Sequence, residues 1–299
     1  MLYKTHNIMF LGSQERGMRI IFATDLSDAN EAAMRSRTCI ECLKRIGVTE
    51  VHLVTVVPDN VSSGLPGMDV ASNRHEALRT QREFFESEGF TVDTHVARGT
   101  PHRRINGFAE RLHADMVVVG SRGQSPLQNR LIGSTARNVA RTAVRPLLVE
   151  RITKEGDTHT VTKEHLFQDV LFATDFSANA DRAFEFIPQL QGATKRATLL
   201  HVRGHEREVE DETTARDRLA ELADDLETRM GIEVQTNVRE GGVVDEILAE
   251  EARVGATVTI LGSRGQSRLR RLLLGSTSES VVAQGHNNVL LVPPEAASR

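Results

Sequence analysis

Two segments of the chain repeat one pattern of glycine, serine and arginine. Residues 120–135 read GSRGQSPLQNRLIGST, and residues 262–277 read GSRGQSRLRRLLLGST. Glycines without side chains let backbone N–H groups face a ligand, and the serine after the last glycine begins a helix whose free amides attract anions. The shared spacing G-x2-G-x9-G-[ST] therefore predicts a phosphate cradle in each segment.

Neither segment fits two widely used phosphate-binding motifs. No G-K-[ST] follows, as it would in a P-loop, and the dinucleotide fingerprint G-x-G-x-x-G belongs after the first strand of its fold. A second interpretation stays open for these glycines, because they also serve close packing where a strand turns into a helix.

A second repeated segment lies upstream of each glycine segment. Residues 22–33 read FATDLSDANEAA, and residues 172–183 read FATDFSANADRA. The aspartates Asp25 and Asp175 are 175 − 25 = 150 positions apart, whereas the glycine segments are 262 − 120 = 142 positions apart. This difference indicates a duplicated domain with loop variation. The two aspartates either contact a ligand or cap the helices that follow them, and the two roles are compatible.

Short apolar runs alternate with segments of helical periodicity in both copies. We expect strands at residues 18–25, 51–57, 90–99, 115–120 and 145–150, and again at 170–175, 198–202, 232–238, 257–262 and 288–292. The alternation predicts an α/β fold of two tandem five-stranded parallel-sheet (3-2-1-4-5), Rossmann-like domains with helices on both faces. The domains are predicted at residues 18–150 and 166–294, with a linker over residues 150–165.

The predicted topology places both repeated segments at one edge of each sheet. In an open α/β sheet, ligands bind outside the carboxyl ends of the strands, where the strand order reverses. Asp25 ends the first predicted strand and Gly120 ends the fourth. In the order 3-2-1-4-5 these strands are neighbours, so the two residues are expected side by side.

The composition argues against several classes of protein. The 299 residues carry a formal net charge of −4, so no basic excess favours nucleic acid as a partner. No apolar run approaches the roughly 20 residues that span a bilayer, and the N-terminal segment lacks the features of a signal peptide. We therefore expect a cytoplasmic protein without a membrane partner.

The cysteines and histidines give weak signals. Cys39 and Cys42 are too few for a disulfide framework, and we expect them to pack in the core rather than to form a redox pair. The histidines in predicted elements show no metal-like spacing, so no metal site is predicted. These are His52, His95, His102, His113 and His201.

The segments TDLS and TDFS after the first strand, with G-x2-G-x9-G-[ST] after the fourth, resemble the nucleotide-binding branch of the universal stress protein family. The resemblance covers two domains in tandem and implies ATP or a related adenine nucleotide, with or without Mg²⁺, in each crevice. In the first copy it implies nucleotide contacts from Ala23, Thr24, Asp25, Val56, Gly120, Arg122, Gly123, Gly133, Ser134 and Thr135. In the second copy it implies contacts from Ala173, Thr174, Asp175, Val202, Gly262, Arg264, Gly265, Gly275, Ser276 and Thr277.

The resemblance further implies a role in stress response or regulation rather than in metabolic catalysis. Two alternatives stay open: an interaction module whose crevices hold no nucleotide, and a slow ATPase. We assign no catalytic residue, since no base beside an activated water is recognisable. A regulatory protein partner is expected but not identified, and a homodimer stays open.

Domains of this family resemble one another in pairing through the fifth strand. An unpaired apolar edge strand invites association, and a tandem chain can cover both edges internally. We therefore expect residues 146–149 to lie against residues 289–292. We also expect ATP to favour the second site, because its loop carries Arg268, Arg270 and Arg271.

Overall fold

The computed structural model describes residues 16–59, 70–121, 132–155, 158–204, 211–265 and 274–295. Within these ranges the chain forms one ten-stranded sheet and a separate two-stranded hairpin. Two hydrophobic cores lie on opposite faces of the large sheet. Neighbouring strand residues alternate between them, so that Ile20 and Phe22 enter one core while Ile21 and Ala23 enter the other.

Within its described residues, the first half contributes five strands and five helices. The strands are β1 (Met18–Ala23), β2 (Val48–Val57), β3 (Thr91–Arg98), β4 (Met116–Gly120) and β5 (Leu147–Glu150). The helices are α1 (Asp28–Met34), α2 (Arg37–Arg45), α3 (Val70–Ser87), α4 (Pro101–Arg111) and α5 (Ser134–Arg141).

The second half begins after a hairpin of β6 (Ile152–Glu155) and β7 (Thr158–Val161). Its strands are β8 (Asp169–Thr174), β9 (Arg196–Arg203), β10 (Glu233–Glu240), β11 (Val258–Gly262) and β12 (Asn288–Val292). Its helices are α6 (Ala178–Phe186), α7 (Glu212–Met230), α8 (Val243–Val254) and α9 (Ser276–Gln284), with a 3₁₀ turn at Ile187–Leu190.

The predicted strand order is confirmed in both halves. The sheet runs β10-β9-β8-β11-β12-β5-β4-β1-β2-β3. Counted within each half from the outer edge of the sheet to its centre, this order is 3-2-1-4-5. Every pairing within a half is parallel. Helices return the chain between parallel strands and cover both faces of the sheet, as the α/β class requires.

The two fifth strands form the centre of the sheet. β5 and β12 pair antiparallel, with Leu148 opposite Leu290 and Val149 opposite Val289. These side chains are fully buried. The predicted pairing of the two fifth strands is confirmed, and it removes an edge that each half would otherwise expose.

Arg151 ties the first half to the last helix of the second. Its backbone N–H donates to Asn288 Oδ1 at 2.8 Å, and its guanidinium donates to the carbonyl oxygens of Asn287, Val281 and Val282. Burial lowers the pKa of Arg151 to about 10, and nearby Glu251 opposes the shift. The guanidinium is therefore still charged at neutral pH and lies against carbonyls near the negative end of α9.

The segment expected to be a plain linker contains the β6–β7 hairpin. Ile152 is buried against Ala29 and Ala33 of α1, with Val161 partly buried beside them. β-Branched residues recur along both short strands, which favours extended structure. The sequence-based interpretation missed this hairpin because its stability depends on contact with α1 from a distant part of the chain.

Leu148→Asp tests the central strand pairing. A carboxylate placed opposite Leu290 would be buried without a partner, so we expect the free energy of unfolding to fall by about 3–5 kcal/mol. Proteolysis within residues 150–165 should also accelerate. Val144→Asp is the matched control, because Val144 is 36% exposed just before β5. Equal loss of stability in the two variants, measured by urea unfolding, would contradict the pairing.

Candidate functional site

The two repeated segments meet at the carboxyl edge of the sheet. In the first half β1 and β4 are neighbours, with Ala23 opposite Val119. Thr24 and Asp25 follow β1, and Gly120 is the last residue of β4. The strand order reverses between these two strands, which is the place where the topology predicts a ligand crevice.

The TDLS segment folds into a turn that leads into α1. Thr24 Oγ1 accepts a hydrogen bond from Leu26 N at 3.0 Å, and Asp25 Oδ1 accepts one from Ser27 N at 3.1 Å. Leu26 has φ of 63°, which a leucine rarely adopts. Ser27 is the N-cap, accepting from Asn30 N at 3.3 Å.

The TDFS segment repeats this geometry in the second half. Thr174 Oγ1 accepts from Phe176 N at 2.9 Å, Asp175 Oδ1 accepts from Ser177 N at 3.1 Å, and Phe176 has φ of 55°. Ser177 is the N-cap of α6. The interpretation of Asp25 and Asp175 as N-caps is therefore wrong, because each aspartate holds the turn that precedes the capping serine.

The second crevice brings an aspartate and a glycine together. A Cβ atom built on Gly265 would lie 2.7 Å from Asp175 Oδ2, so the backbone after β11 passes directly beside the carboxylate. Gly262 is equally confined, since a Cβ there would lie 3.0 Å from the carbonyl oxygen of Asn179. Close packing against backbone atoms explains Gly262, whereas the neighbour of Gly265 is the Asp175 side chain.

Glycines also begin the helices that follow the cradle segments. Gly133 is the N-cap of α5, and its N–H donates to the carbonyl oxygen of Ser121 at 2.7 Å. Gly275 is the N-cap of α9, and its N–H donates to the carbonyl oxygen of Ser263 at 2.8 Å. A glycine has no side chain to accept from the amides of the first turn. The amides at the start of a helix and the helix dipole attract anions.

The remaining predicted residues lie in three places. Val56 and Val202 lie near the ends of β2 and β9. Arg264 follows β11 and is half-buried. Its backbone N–H donates to Asn179 Oδ1 at 2.9 Å, and burial lowers the pKa of its guanidinium. Arg122 and Gly123 lie outside the described residues, as do the three arginines expected to favour the second site.

An aromatic stack beside the second crevice was missed from the sequence. The Phe176 ring stacks on His201 with 4.5 Å between centroids, and the Arg218 guanidinium lies 3.9 Å from the Phe176 centroid. His201 Nδ1 is also 2.9 Å from the carbonyl oxygen of Thr174. The only sequence signal was the change from TDLS to TDFS.

The corresponding wall of the first crevice is different. By strand register, Thr55 of β2 occupies the place of His201 in β9. The Arg74 guanidinium of α3 donates to Thr55 Oγ1 at 2.9 Å. An arginine from a helix thus contacts Thr55 in the first half and the Phe176 ring in the second.

Two histidines that were expected to be unrelated lie in contact. His52 Nδ1 is 3.0 Å from His95 Nε2, so the expectation that these histidines do not cluster is wrong. Among the described residues, the acidic, histidine and cysteine side chains close enough to share one ion are Glu50, His52 and Asp93. They lie on β2 and β3, away from both crevices.

Comparison with known proteins identifies the family. The model of the universal stress protein family matches residues 18–151 and again residues 166–293. The chain belongs to the universal stress protein family. Universal stress protein MJ0531 of Methanocaldococcus jannaschii is 30% identical over 145 residues, which are 46% of this chain and 84% of that protein. Universal stress protein G of Salmonella typhimurium is 36% identical over 110 residues, 34% of this chain and 77% of that protein.

A solved structure shows the same tandem fold. A universal stress protein from Archaeoglobus fulgidus aligns with a TM-score of 0.68 and 24% identity, over 93% of this chain and 99% of that chain. In the part of this universal stress protein that the structure describes, none of the helices combines the length and apolar character needed to cross a membrane.

A buried carboxyl group lies opposite Gly120. Glu150 of β5 pairs with Gly120 of β4, and Glu150 Oε1 accepts a hydrogen bond from Cys39 Sγ at 3.0 Å. Burial raises the pKa of Glu150 to about 7, although the bond from Cys39 opposes the shift. Burial also raises the pKa of the Cys39 thiol, which therefore remains a donor. Both cysteines are free and buried, in agreement with a packing role.

Glu150→Gln should make stability less dependent on pH. Between about pH 4.5 and 7 folded Glu150 holds a proton that the unfolded chain has released, so the wild-type protein loses stability as the pH rises through this window. Glutamine does not titrate, so the variant should gain up to ~3 kcal/mol relative to wild type between pH 5 and pH 8. Urea unfolding at both pH values measures the difference. Glu41→Gln, at an exposed position of α2, is the control, and an equal effect there would contradict the assignment.

Proposed function

We propose that this universal stress protein binds an adenine nucleotide, ATP or a close relative, in each crevice and acts in stress response or regulation. The observation that carries the proposal is the meeting of three features in the second half. The carboxylate of Asp175, the confined Gly265 and the glycine-capped start of α9 all lie at the reversal of strand order.

The chemistry of these groups matches the two ends of a nucleotide. Carboxylates accept hydrogen bonds, so Asp25 and Asp175 suit the hydroxyl and amino donors of a nucleoside and not its phosphates. Backbone amides at the starts of α5 and α9 suit phosphate oxygens, and Arg264 would add positive charge in the second half. Mg²⁺ would enter together with the phosphates, which commonly supply part of its coordination.

The remaining predicted contacts follow from these two ends. The base would be bordered by Ala23 and Val56 in the first half and by Ala173 and Val202 in the second. The turns that orient the aspartates are maintained by Thr24 and Thr174. Ser134 and Thr135, with Ser276 and Thr277, form the first turns of the two helices. Gly120, Arg122 and Gly123 complete the first cradle in the proposal.

Replacement of the cradle glycines tests the proposal. We expect two ATP molecules per wild-type chain with micromolar affinity, measured by titration calorimetry. Gly265→Val places a branched side chain against Asp175 and should remove one site, as should Gly123→Val, and the double variant should bind none. Gly107→Ala in α4 is the control, because a Cβ there meets no atom within 4 Å.

The alternatives give different results in the same experiment. Unchanged binding in the double variant would reject the cradles. Absence of ATP binding in the wild-type protein would favour an interaction module, and release of phosphate from bound ATP would favour a slow ATPase.

The order of site filling is a separate prediction. The second loop carries Arg268, Arg270 and Arg271, whereas the first carries Arg130 within its glycine segment. Additional positive charge near a triphosphate favours binding, although exposed charges contribute modestly. At limiting ATP, Gly265→Val should therefore reduce binding more than Gly123→Val. The reverse order would contradict the prediction.

A further inference from the structure

We propose that Glu50, His52, Asp93 and His95 form a binding site for a divalent transition-metal ion such as zinc. The four residues, hereafter the β2–β3 cluster, lie on adjacent parallel strands, with His52 opposite Asp93 and Val54 opposite His95. Side chains two positions apart on a strand point to one face of the sheet, so the four share a face. The cluster lies within β2 and β3, before the carboxyl ends of both strands.

Two distances from the central histidine are compatible with ligands of one ion. His52 Nδ1 lies 3.0 Å from His95 Nε2 and 3.9 Å from Asp93 Oδ2. A tetrahedral zinc ion with metal–nitrogen bonds of about 2.0–2.1 Å separates its ligand atoms by about 3.3 Å. The Asp93 side chain is 64% exposed. Two imidazoles and a carboxylate are a ligand set that zinc and its neighbours in the first transition row accept.

Glu50 orients the central histidine. Its Oε1 is 2.8 Å from His52 Nε2, and a carboxylate accepts, so Nε2 carries the proton and Nδ1 presents its lone pair toward His95 and Asp93. Metal-bound histidines commonly donate their second ring nitrogen to a carboxylate in this way. Glu50 Oε2 in turn forms an ion pair with Arg19 Nε at 2.8 Å. The buried His52 ring is thus held in the form that binds a metal.

The second half shows that the sheet does not require this cluster. By register, Thr198 and Gln235 occupy the places of His52 and Asp93, and Asn237 occupies that of His95. In the first half Arg19 of β1 forms an ion pair with Glu50 of β2. The second half keeps an ion pair at this place with the charges exchanged, because Arg196 of β9 contacts Asp169 of β8 at 2.6 Å. The duplicated scaffold therefore keeps the ion pair in both halves and places the metal-binding residue types only in the first.

Zinc titration of the full chain tests the proposal. Protein stripped with a chelator and kept free of nucleotide should bind one equivalent of Zn²⁺ by equilibrium dialysis. Asp93→Asn and His95→Gln should each weaken binding at least tenfold, and Glu50→Gln should weaken it by about 10–100-fold. Co²⁺ should give the visible absorption of a tetrahedral site, which the variants lose.

The controls separate this site from other histidines. His159→Asn, in β7, should leave Zn²⁺ affinity and the Co²⁺ spectrum unchanged. Thermal unfolding checks that each variant is folded. If His95→Gln is not folded, Asp93→Asn provides the test, because the Asp93 side chain is exposed and its replacement should not disturb the fold. Absence of saturable Zn²⁺ binding, or unchanged affinity in Asp93→Asn with an intact fold, would overturn the proposal. A loss of affinity in His159→Asn equal to that in the cluster variants would show adventitious binding only.

Discussion

The antiparallel pairing of β5 with β12 is the constraint on which the rest of the structure depends. Each half has five parallel strands and would end at an apolar fifth strand with unpaired backbone groups. Pairing these two strands joins the halves into one sheet and buries Leu148 and Leu290. Arg151 then spans the seam and satisfies carbonyl groups at the end of α9, so backbone and side-chain contacts couple the halves.

The candidate crevices depend on strained turns that the fold maintains. Leu26 and Phe176 adopt positive φ, which costs L-residues roughly 1–2 kcal/mol. Hydrogen bonds that the preceding threonine and aspartate side chains accept from the backbone of the turn compensate for this conformation and align each serine as an N-cap. The same contacts place Asp25 and Asp175 at the strand-order reversal. Capping of the helix and orientation of the carboxylate are therefore produced by one local structure.

Duplication has preserved the scaffold while its two copies acquired different chemistry. The first half has the buried Glu150–Cys39 pair and the β2–β3 cluster. The second half has the stack of Arg218, Phe176 and His201 beside its crevice. These differences lie where strand register brings distant residues together, whereas the repeated turn and glycine segments are nearly the same. Selection on either copy can therefore alter one site without altering the fold.

The alternation of apolar runs and helical segments in the amino-acid sequence by itself predicted the class of fold and the strand order, which the structure confirms. The pairing of the fifth strands was predicted from the resemblance to the universal stress protein family, and it is confirmed as well. The fold class follows from local hydrophobic periodicity, which acts within a few residues along the chain. Tertiary structure alone decided that Ser27 caps α1 in place of Asp25, that residues 152–161 form a hairpin, and that His52 meets His95. The first depends on the backbone path through a positive-φ residue, the second on burial against α1, and the third on the register of two strands whose histidines are 43 positions apart. Spacing along a chain does not encode such distances until the strands are aligned.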